Sequence, residues 1–368
     1  MTVSVRDNIE LIVRQDDPRA FRLVETPATD VAALDDGELL VQVEKFGFSA
    51  NNVTYAVLGK SPLINYFDFF PGADPGWGKV PVWGMGTVAA SRHREYPVGE
   101  RMYGYFPLAR YARLRPAQTT PLGFEVDRGA LPSVYNSYTL TARDPFYVQG
   151  HEDAMIVFRP LILTGILLDD FIAEGNDYFG ARCIVIPSAS SKTAFGLAFM
   201  LARRHTDRTV VGLTSAGNAA FVRNLGFYSQ VKTYDEIATL AEAPTVVVDV
   251  AGDGRIRTAL LQRLGSHLTT TITVGLSHWE QAGAAPAEMS SGDSTVFFFA
   301  PAWLEQRRAD WGPAVLGQRI VGAWHEFMER AETWVHIVRG EGPDAVKAVY
   351  TSMVEGRPGP DEAHVLSL

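Results

Sequence analysis

The chain has 368 residues, of which 46% are hydrophobic and 20% charged, which excludes a disordered or fibrous protein and provides for two cores rather than one. A formal charge of −9 argues against broad attraction to nucleic acid or to an anionic membrane and points to small-molecule partners, with a homo-oligomer left open. The one cysteine, Cys183, can supply neither an internal disulfide nor a structural zinc site, so a reducing compartment is expected. It lies in the apolar run Arg182-Cys183-Ile184-Val185-Ile186, where a thiol reads as a small buried hydrophobe. Met1 to Asp17 is charged at Arg6, Asp7, Glu10, Arg14, Asp16 and Asp17, unlike a signal peptide, and no run reaches the roughly 18 to 20 apolar residues of a membrane span. A cytoplasmic protein is expected.

The first 150 residues read as short strands and turns rich in glycine, proline and aromatics. Strands are expected at 39–43 and 87–90, and Pro97-Val98-Gly99-Glu100-Arg101 is a turn feeding a strand at 102–105. Residues 161–173 carry helical spacing and stop at Glu174-Gly175-Asn176. From Arg182 strand and helix patterns alternate, as in a parallel sheet with crossover helices. Strands are expected at 183–187, 209–213, 230–232, 245–250, 267–274 and 295–299, with helices at 193–204, 218–224, 234–241 and 254–264. Six strands so arranged fit an α/β, doubly wound Rossmann domain whose ligand crevice lies at the carboxyl ends of the strands. A helical stretch at 303–337, a helix at 344–353 and a strand at 363–366 complete the reading. The expected division is a mainly β domain at 1–160, to which 320–368 returns, around a Rossmann domain at 161–319.

The strand at 183–187 runs into Ser188-Ala189-Ser190-Ser191-Lys192-Thr193-Ala194-Phe195-Gly196 and then an apolar helix. A pyrophosphate site needs a tight turn, close backbone approach and a helix N-terminus aimed at the anion. Ser188, Ser190, Ser191, Lys192 and Thr193 supply small residues, hydroxyls and a cation, but of the three customary glycines only Gly196 remains, at the helix-packing position. Ser190 or Ser191 would also cap a helix in a site that binds nothing. The next strand ends in Leu213-Thr214-Ser215-Ala216-Gly217-Asn218, where an NAD site places an acid on the ribose hydroxyls. Without an acid, Thr214, Ser215 and Asn218 suit a 2′-phosphate, with Lys192 nearby, so NADPH is the expected cofactor; a plain turn and helix cap would use the same residues.

Taken with Gly37-Glu38-Leu39-Leu40-Val41, Gly84-Met85-Gly86-Thr87-Val88, the 97–104 block and Val248-Asp249-Val250-Ala251-Gly252, these residues resemble the medium-chain dehydrogenase/reductase superfamily over nearly the whole chain. Tyr66-Phe67-Asp68-Phe69-Phe70-Pro71 and 188–193 look closest to an uncharacterised branch, a domain-of-unknown-function family. The resemblance implies a GroES-like mainly β catalytic domain beside the Rossmann domain, and adds Ala251 and Gly275 to the cofactor residues. It also implies no zinc: the positions of the superfamily's cysteine and His-Glu ligands read Phe46-Gly47-Phe48-Ser49-Ala50 and Val82-Trp83.

Reduction of a carbonyl or enone needs a donor at the oxygen that gains charge. The resemblance puts Asn51, Asn52 and Tyr55 on a substrate-side turn, and Tyr135-Asn136 lies in a polar aromatic cluster; Asn51, Tyr55, Tyr135 and Asn136 are the catalytic candidates, against a reading in which they fill core. Trp83, Phe67, Phe69 and Phe70 would wall an apolar pocket or simply pack. Tyr228 and Lys232 have the spacing of a short-chain reductase pair but flank an expected strand, and His278 is the one histidine near the expected crevice. No Gly-x-Ser-x-Gly elbow follows a strand. The expected activity is a zinc-independent, NADPH-dependent reductase of a carbonyl or activated C=C bond; the alternative is a cofactor-independent lyase or hydrolase acting on a keto compound.

Overall fold

The computed structural model describes residues 5–61, 65–274 and 295–368. Gly275 and His278 lie outside them. The chain divides into two compact units, 1–157 with 336–368, and 158–335.

In the first unit β1 (Asn8–Arg14), β2 (Phe21–Thr26) and β4 (Trp77–Lys79) form a small sheet, and β3 (Leu39–Phe48) belongs to a larger one. That larger sheet also takes β5 (Pro81–Ser91), β6 (Arg101–Pro107), β7 (Tyr111–Leu114), β8 (Pro116–Thr120), β9 (Gly123–Val126) and β10 (Ser137–Leu140). Its inward face buries Val41, Phe46, Val82, Val88, Met102, Phe106 and Phe124, which is what turns the alternating pattern of the sequence into a core. The stretch after β3, expected as a turn, is a helix, α1 (Ala50–Val57). Ser49 and Asn52 close a reciprocal capping box that starts it, with asparagine where glutamate or glutamine is usual. Two single turns, α2 (Tyr66–Phe69) and α3 (Ser133–Asn136), carry further aromatics. The helix α4 (Glu152–Glu174) begins well before the expected 161.

The second unit opens within α4, which is followed by α5 (Asn176–Phe179), a turn whose backbone is left-handed at Asp177 and Tyr178. Its sheet comprises β11 (Cys183–Ile186), β12 (Thr209–Thr214), β13 (Gln230–Thr233), β14 (Thr245–Asp249), β15 (Leu268–Thr273) and β16 (Thr295–Phe297). The spatial order is β13-β12-β11-β14-β15-β16, and every neighbouring pair is parallel. This is the doubly wound order with its reversal between β11 and β14. The crossovers are α6 (Lys192–Arg203), α7 (Ala219–Leu225) and α8 (Gly254–Leu264), while the helix expected at 234–241 is a 3₁₀ turn, Tyr234–Thr239. Gly196 lets α6 pack closely: a Cβ there would stand 2.8 Å from Ile162 Cδ1.

The helical stretch expected to reach 337 breaks earlier, into α9 (Ala300–Met328) and α10 (Ala331–Trp334). Residues 320–335 stand with the second unit because Phe327 packs its ring on Phe158, Phe195, Phe199 and Trp334. The return to the first unit begins at β17 (His336–Glu341), followed by α11 (Gly342–Val354) and β18 (Glu362–Ser367). β17 pairs parallel with β18 and β18 antiparallel with β3, so hydrogen bonding to a distant strand overrides the helical pattern at 336–337.

Candidate functional site

In the second unit a small crevice opens at the carboxyl ends of β11 and β14, lined by Pro187, Ser188, Val247, Asp249, Asp253 and Arg257. It sits at the reversal of strand order, where doubly wound sheets bind ligands. The loop leaving β11 makes its turn at Ser188, whose φ of 54° is left-handed. That conformation costs a non-glycine residue about 1–2 kcal/mol, so contacts around it must hold it. Ala189 N–H donates to Leu213 O at 2.9 Å and Ser191 N–H to Ser188 O at 2.8 Å. Ser191 caps α6 by accepting from Ala194 N–H at 3.3 Å, with Lys192 and Thr193 in the first turn behind it. Asn218 Nδ2 donates to Ser190 Oγ at 3.1 Å and ties the loop after β12 to the loop after β11.

Of the residues expected on the phosphate side, Ser188, Ser190, Ser191 and Asn218 are brought together. Thr214 is buried and its Oγ1 has no hydrogen-bond partner among the described residues, so it faces the interior; Ser215 is exposed and Asn218 half-buried at that strand end. Ala251 sits in the turn after β14, where its N–H and that of Gly252 donate to Asp249 Oδ1 at 3.2 and 2.8 Å. Asp253 Oδ1 accepts from Arg255 and Ile256 N–H at the start of α8. Both carboxylates in the crevice therefore have amide donors of their own. A serine-lined turn, a helix start and hydroxyls from the neighbouring strand end fit a dinucleotide phosphate. The sequence reading missed Tyr234, whose Oη lies 3.4 Å from Ser188 Oγ, and weighed Tyr228 only as a partner of Lys232, whereas its Oη donates to Ala189 O at 2.8 Å. Lys232 Nζ donates instead to Thr239 Oγ1, so Tyr228 and Lys232 do not act as a pair.

In the first unit four tyrosines and a tryptophan converge. α1 is fastened to β5 by Asn52 Nδ2 donating to Pro81 O at 3.1 Å. This sets Tyr55 beside Trp83 of β5, itself opposite Tyr105 of β6. Asn51, one helical turn before Tyr55, donates through Nδ2 to Tyr55 Oη at 2.8 Å, and Trp83 Nε1 donates to the same oxygen at 3.2 Å. Tyr66 Oη donates to Tyr135 Oη at 3.1 Å. The ring of Tyr105 lies 4.8 Å from those of Trp83 and Tyr135 and 5.5 Å from that of Tyr55. Arg128 braces the group from behind: Nη1 donates to Tyr135 O at 2.9 Å and Nη2 to Tyr138 Oη at 2.6 Å, and Tyr138 Oη donates to Tyr105 O at 2.6 Å.

Burial pushes the Tyr55 phenol up to about 12, the hydrogen bonds from Trp83 and Asn51 only partly offsetting it, and burial likewise lifts Tyr66, Tyr105 and Tyr135. All four are neutral donors at physiological pH. A hydroxyl holds one proton and two lone pairs. Tyr55 Oη already accepts two hydrogen bonds and Tyr135 Oη one, and neither has an acceptor for its own proton among the described residues; Tyr105 is buried beside Tyr55 and helps to hold the Tyr55 phenol down. The phenolic protons of Tyr55 and Tyr135 are thus without an acceptor among the described residues. Asn136 does not join them, since its Nδ2 donates to Leu131 O at 3.0 Å and steadies the turn before β10. Of the expected apolar wall, Trp83 belongs to this cluster and Phe70 packs on Tyr105 at 5.5 Å, whereas Phe67 fills the space over Gly59 and Gly78. Tyr66, Tyr105 and Arg128 escaped the sequence reading; the alternation of Tyr103 and Tyr105 on one strand is a signal for Tyr105, while Tyr66 and Arg128 come from segments that only the fold brings near. Among the described residues no group of three or more His, Cys, Asp or Glu side chains is placed to hold a metal ion.

A family model described as "Protein of unknown function (DUF2855)" matches residues 46–358. No curated protein matches the sequence. Among solved structures, CurA from Vibrio vulnificus in complex with NADPH is similar over 98% of both chains, with 13% identity and a TM-score of 0.63. Mycobacterial Rv1454c complexed with NADPH is similar over 98% of this chain and 100% of its own, with 14% identity and a TM-score of 0.61. A mutant form of enoyl thioester reductase from Candida tropicalis covers the same shares at 11% identity and a TM-score of 0.59. What these structures share with the chain is the fold, GroES-like plus Rossmann.

Proposed function

We propose that this chain, which belongs to the DUF2855 family, is a zinc-independent reductase that uses NADPH to reduce a carbonyl or a carbonyl-activated C=C bond. The observation that carries the reading is Tyr55, a neutral phenol whose oxygen is saturated by Asn51 and Trp83 and whose proton is left for an outside acceptor. The cofactor half is supported by the left-handed Ser188 turn, the capped start of α6 and the Ser190–Asn218 link, and by the NADPH bound to CurA and Rv1454c.

When bound, NADPH supplies a hydride. Ser188, Ser190, Ser191 and the start of α6 would hold its phosphates, and Ser215, Asn218 and Lys192 would favour a 2′-phosphate. Tyr55, with Tyr135, donates hydrogen bonds to the substrate oxygen and so steadies the negative charge that grows there. Asn51 and Trp83 keep the Tyr55 oxygen from turning away. Burial holds the phenols protonated, so the donors are in place over the whole neutral range. Val82 and Trp83, standing where zinc enzymes of the superfamily carry ligands, offer nothing to a metal, which is why the reading needs none.

The test is NADPH consumption with two probes, crotonyl-CoA for activated double bonds and 1,4-naphthoquinone for carbonyls, in the presence and absence of a zinc chelator. Consumption that survives the chelator and disappears in Tyr55→Phe is the expected result. NADPH that stays unconsumed with both probes would count against the reductase, and turnover lost on chelation would count against the zinc-independent form.

A further inference from the structure

The loop after β11 lacks the glycines that ordinarily let a dinucleotide loop turn tightly, yet its first residue is left-handed, with Ser188 at φ 54°. Something other than glycine must hold it. Two tyrosines reach it: Tyr234, whose Oη lies 3.4 Å from Ser188 Oγ, and Tyr228, from the segment entering β13, which holds the backbone of the next residue. Tyr228 Oη donates to Ala189 O at 2.8 Å, while Ala189 N–H is held by Leu213 O, so the second residue of the loop is gripped at both its polar ends. Ala189 is fully buried, and loop and tyrosine share one space above β12. A Cβ at Gly212 would lie 2.8 Å from Tyr228 Cδ1 and 3.0 Å from Ala189 Cβ. Gly212 therefore makes the room into which both fit.

We infer that Tyr228 and Gly212 together replace the missing loop glycines: Gly212 provides the space on the neighbouring strand, and Tyr228 fills it and pins Ala189 so that the loop keeps its anion-binding shape. This makes Tyr228 a positioning residue for the phosphate loop, and its link to NADPH rests on the cofactor reading above. The arrangement also assigns a role to a tyrosine whose spacing from Lys232 suggests a different chemistry. The Tyr228 phenol stays protonated because burial raises it well above its ordinary value, so the grip does not vary with pH in the neutral range.

Tyr228→Phe keeps the ring and removes the one hydrogen bond, which separates positioning from packing. Two readouts apply to the full chain: calorimetric affinity for NADPH, and amide hydrogen exchange at 189–193 without cofactor. The expected result is a loss of about tenfold in NADPH affinity, about 1.4 kcal/mol, with exchange at 189–193 faster by a similar factor and exchange in β14 and β15 unchanged. Ser188→Gly added to Tyr228→Phe removes the strain at the turn and should recover most of the affinity; a purely structural loss would not be rescued this way. Affinity and loop exchange both within twofold of wild type in Tyr228→Phe would overturn the inference. A wild-type chain that binds no NADPH, with loop exchange still quickened by Tyr228→Phe, would overturn the cofactor reading while supporting the grip.

Discussion

The phosphate loop of the second unit and the tyrosine cluster of the first both present hydrogen-bond donors, but they are built differently. Around the loop the donors come from neighbours in sequence, with Ser188 to Thr193 on one turn and Ser215 to Asn218 on the next, and the fold needs only to bring two strand ends together. In the cluster they come from α1, α2, α3, β5 and β6, and the bond between Tyr66 and Tyr135 joins residues 69 apart. In the proposed function the loop is matched to charge that its ligand always carries, and the cluster, neutral and buried, to charge that exists only during a reaction, which is where a preorganised donor has its largest effect.

Breaking the cluster should therefore cost the most. Tyr55→Phe is expected to lower kcat by on the order of 10²–10³-fold with little change in the KM for NADPH, because removal of one donor to a developing oxyanion has effects of that size. Steady-state kinetics with the better of the two probes checks it; a change within threefold would show that Tyr55 is not the donor.

That contrast also explains what the sequence disclosed. The alternating strand and helix patterns of 182–299 are local, and the six-stranded parallel sheet appears where they place it. Ser190, Ser191 and Asn218 were legible because strand-loop-helix context names them. Thr214, expected beside a 2′-phosphate, is buried at the end of β12, because the last residue of a buried strand points in or out by register, which one strand's sequence does not fix. Tyr55 and Tyr135 were found by residue type, but Tyr66, Tyr105 and Arg128 belong with them only through pairings such as Trp83 with Tyr105. The helix α1 is expected as a turn from the resemblance, and Ser49, answered by Asn52 rather than by a glutamate, lacks the usual signal of a helix start.

Sharpening the loop side of the comparison requires a charge placed where the cofactor would meet it. Thr214→Asp would bury a carboxylate and disturb folding, so the exposed Ser215 is the position to use. Ser215→Asp should erase a preference for NADPH over NADH of on the order of tenfold to a hundredfold, roughly 1.4 to 2.8 kcal/mol. Equal effects on both cofactors would mean that Ser215 does not face the 2′-phosphate.

The smallest effect concerns an ion-pair group elsewhere in the first unit. Lys45, Arg101 and Arg339 meet Glu44, Glu152 and Asp153 where α4 starts against β3 and β6. Burial works against the Glu152 charge, but hydrogen bonds from Arg101, Lys45 and Tyr147 outweigh it and hold the carboxyl at about 2, below its ordinary 4.5. A carboxyl lowered in the folded state contributes stability that is complete above about 4.5 and lost as pH falls towards about 2. Melting temperature should fall through that window, and Glu152→Gln should flatten the fall while lowering stability at neutral pH. An unchanged slope in the variant would assign acid sensitivity to other groups.

Calorimetric titration of the wild-type chain with NADPH and with NADH is the most direct measurement of all. Saturable binding of NADPH, tighter than NADH by on the order of tenfold or more, is the expected result. Binding of neither would contradict the dinucleotide site, and with it the reductase.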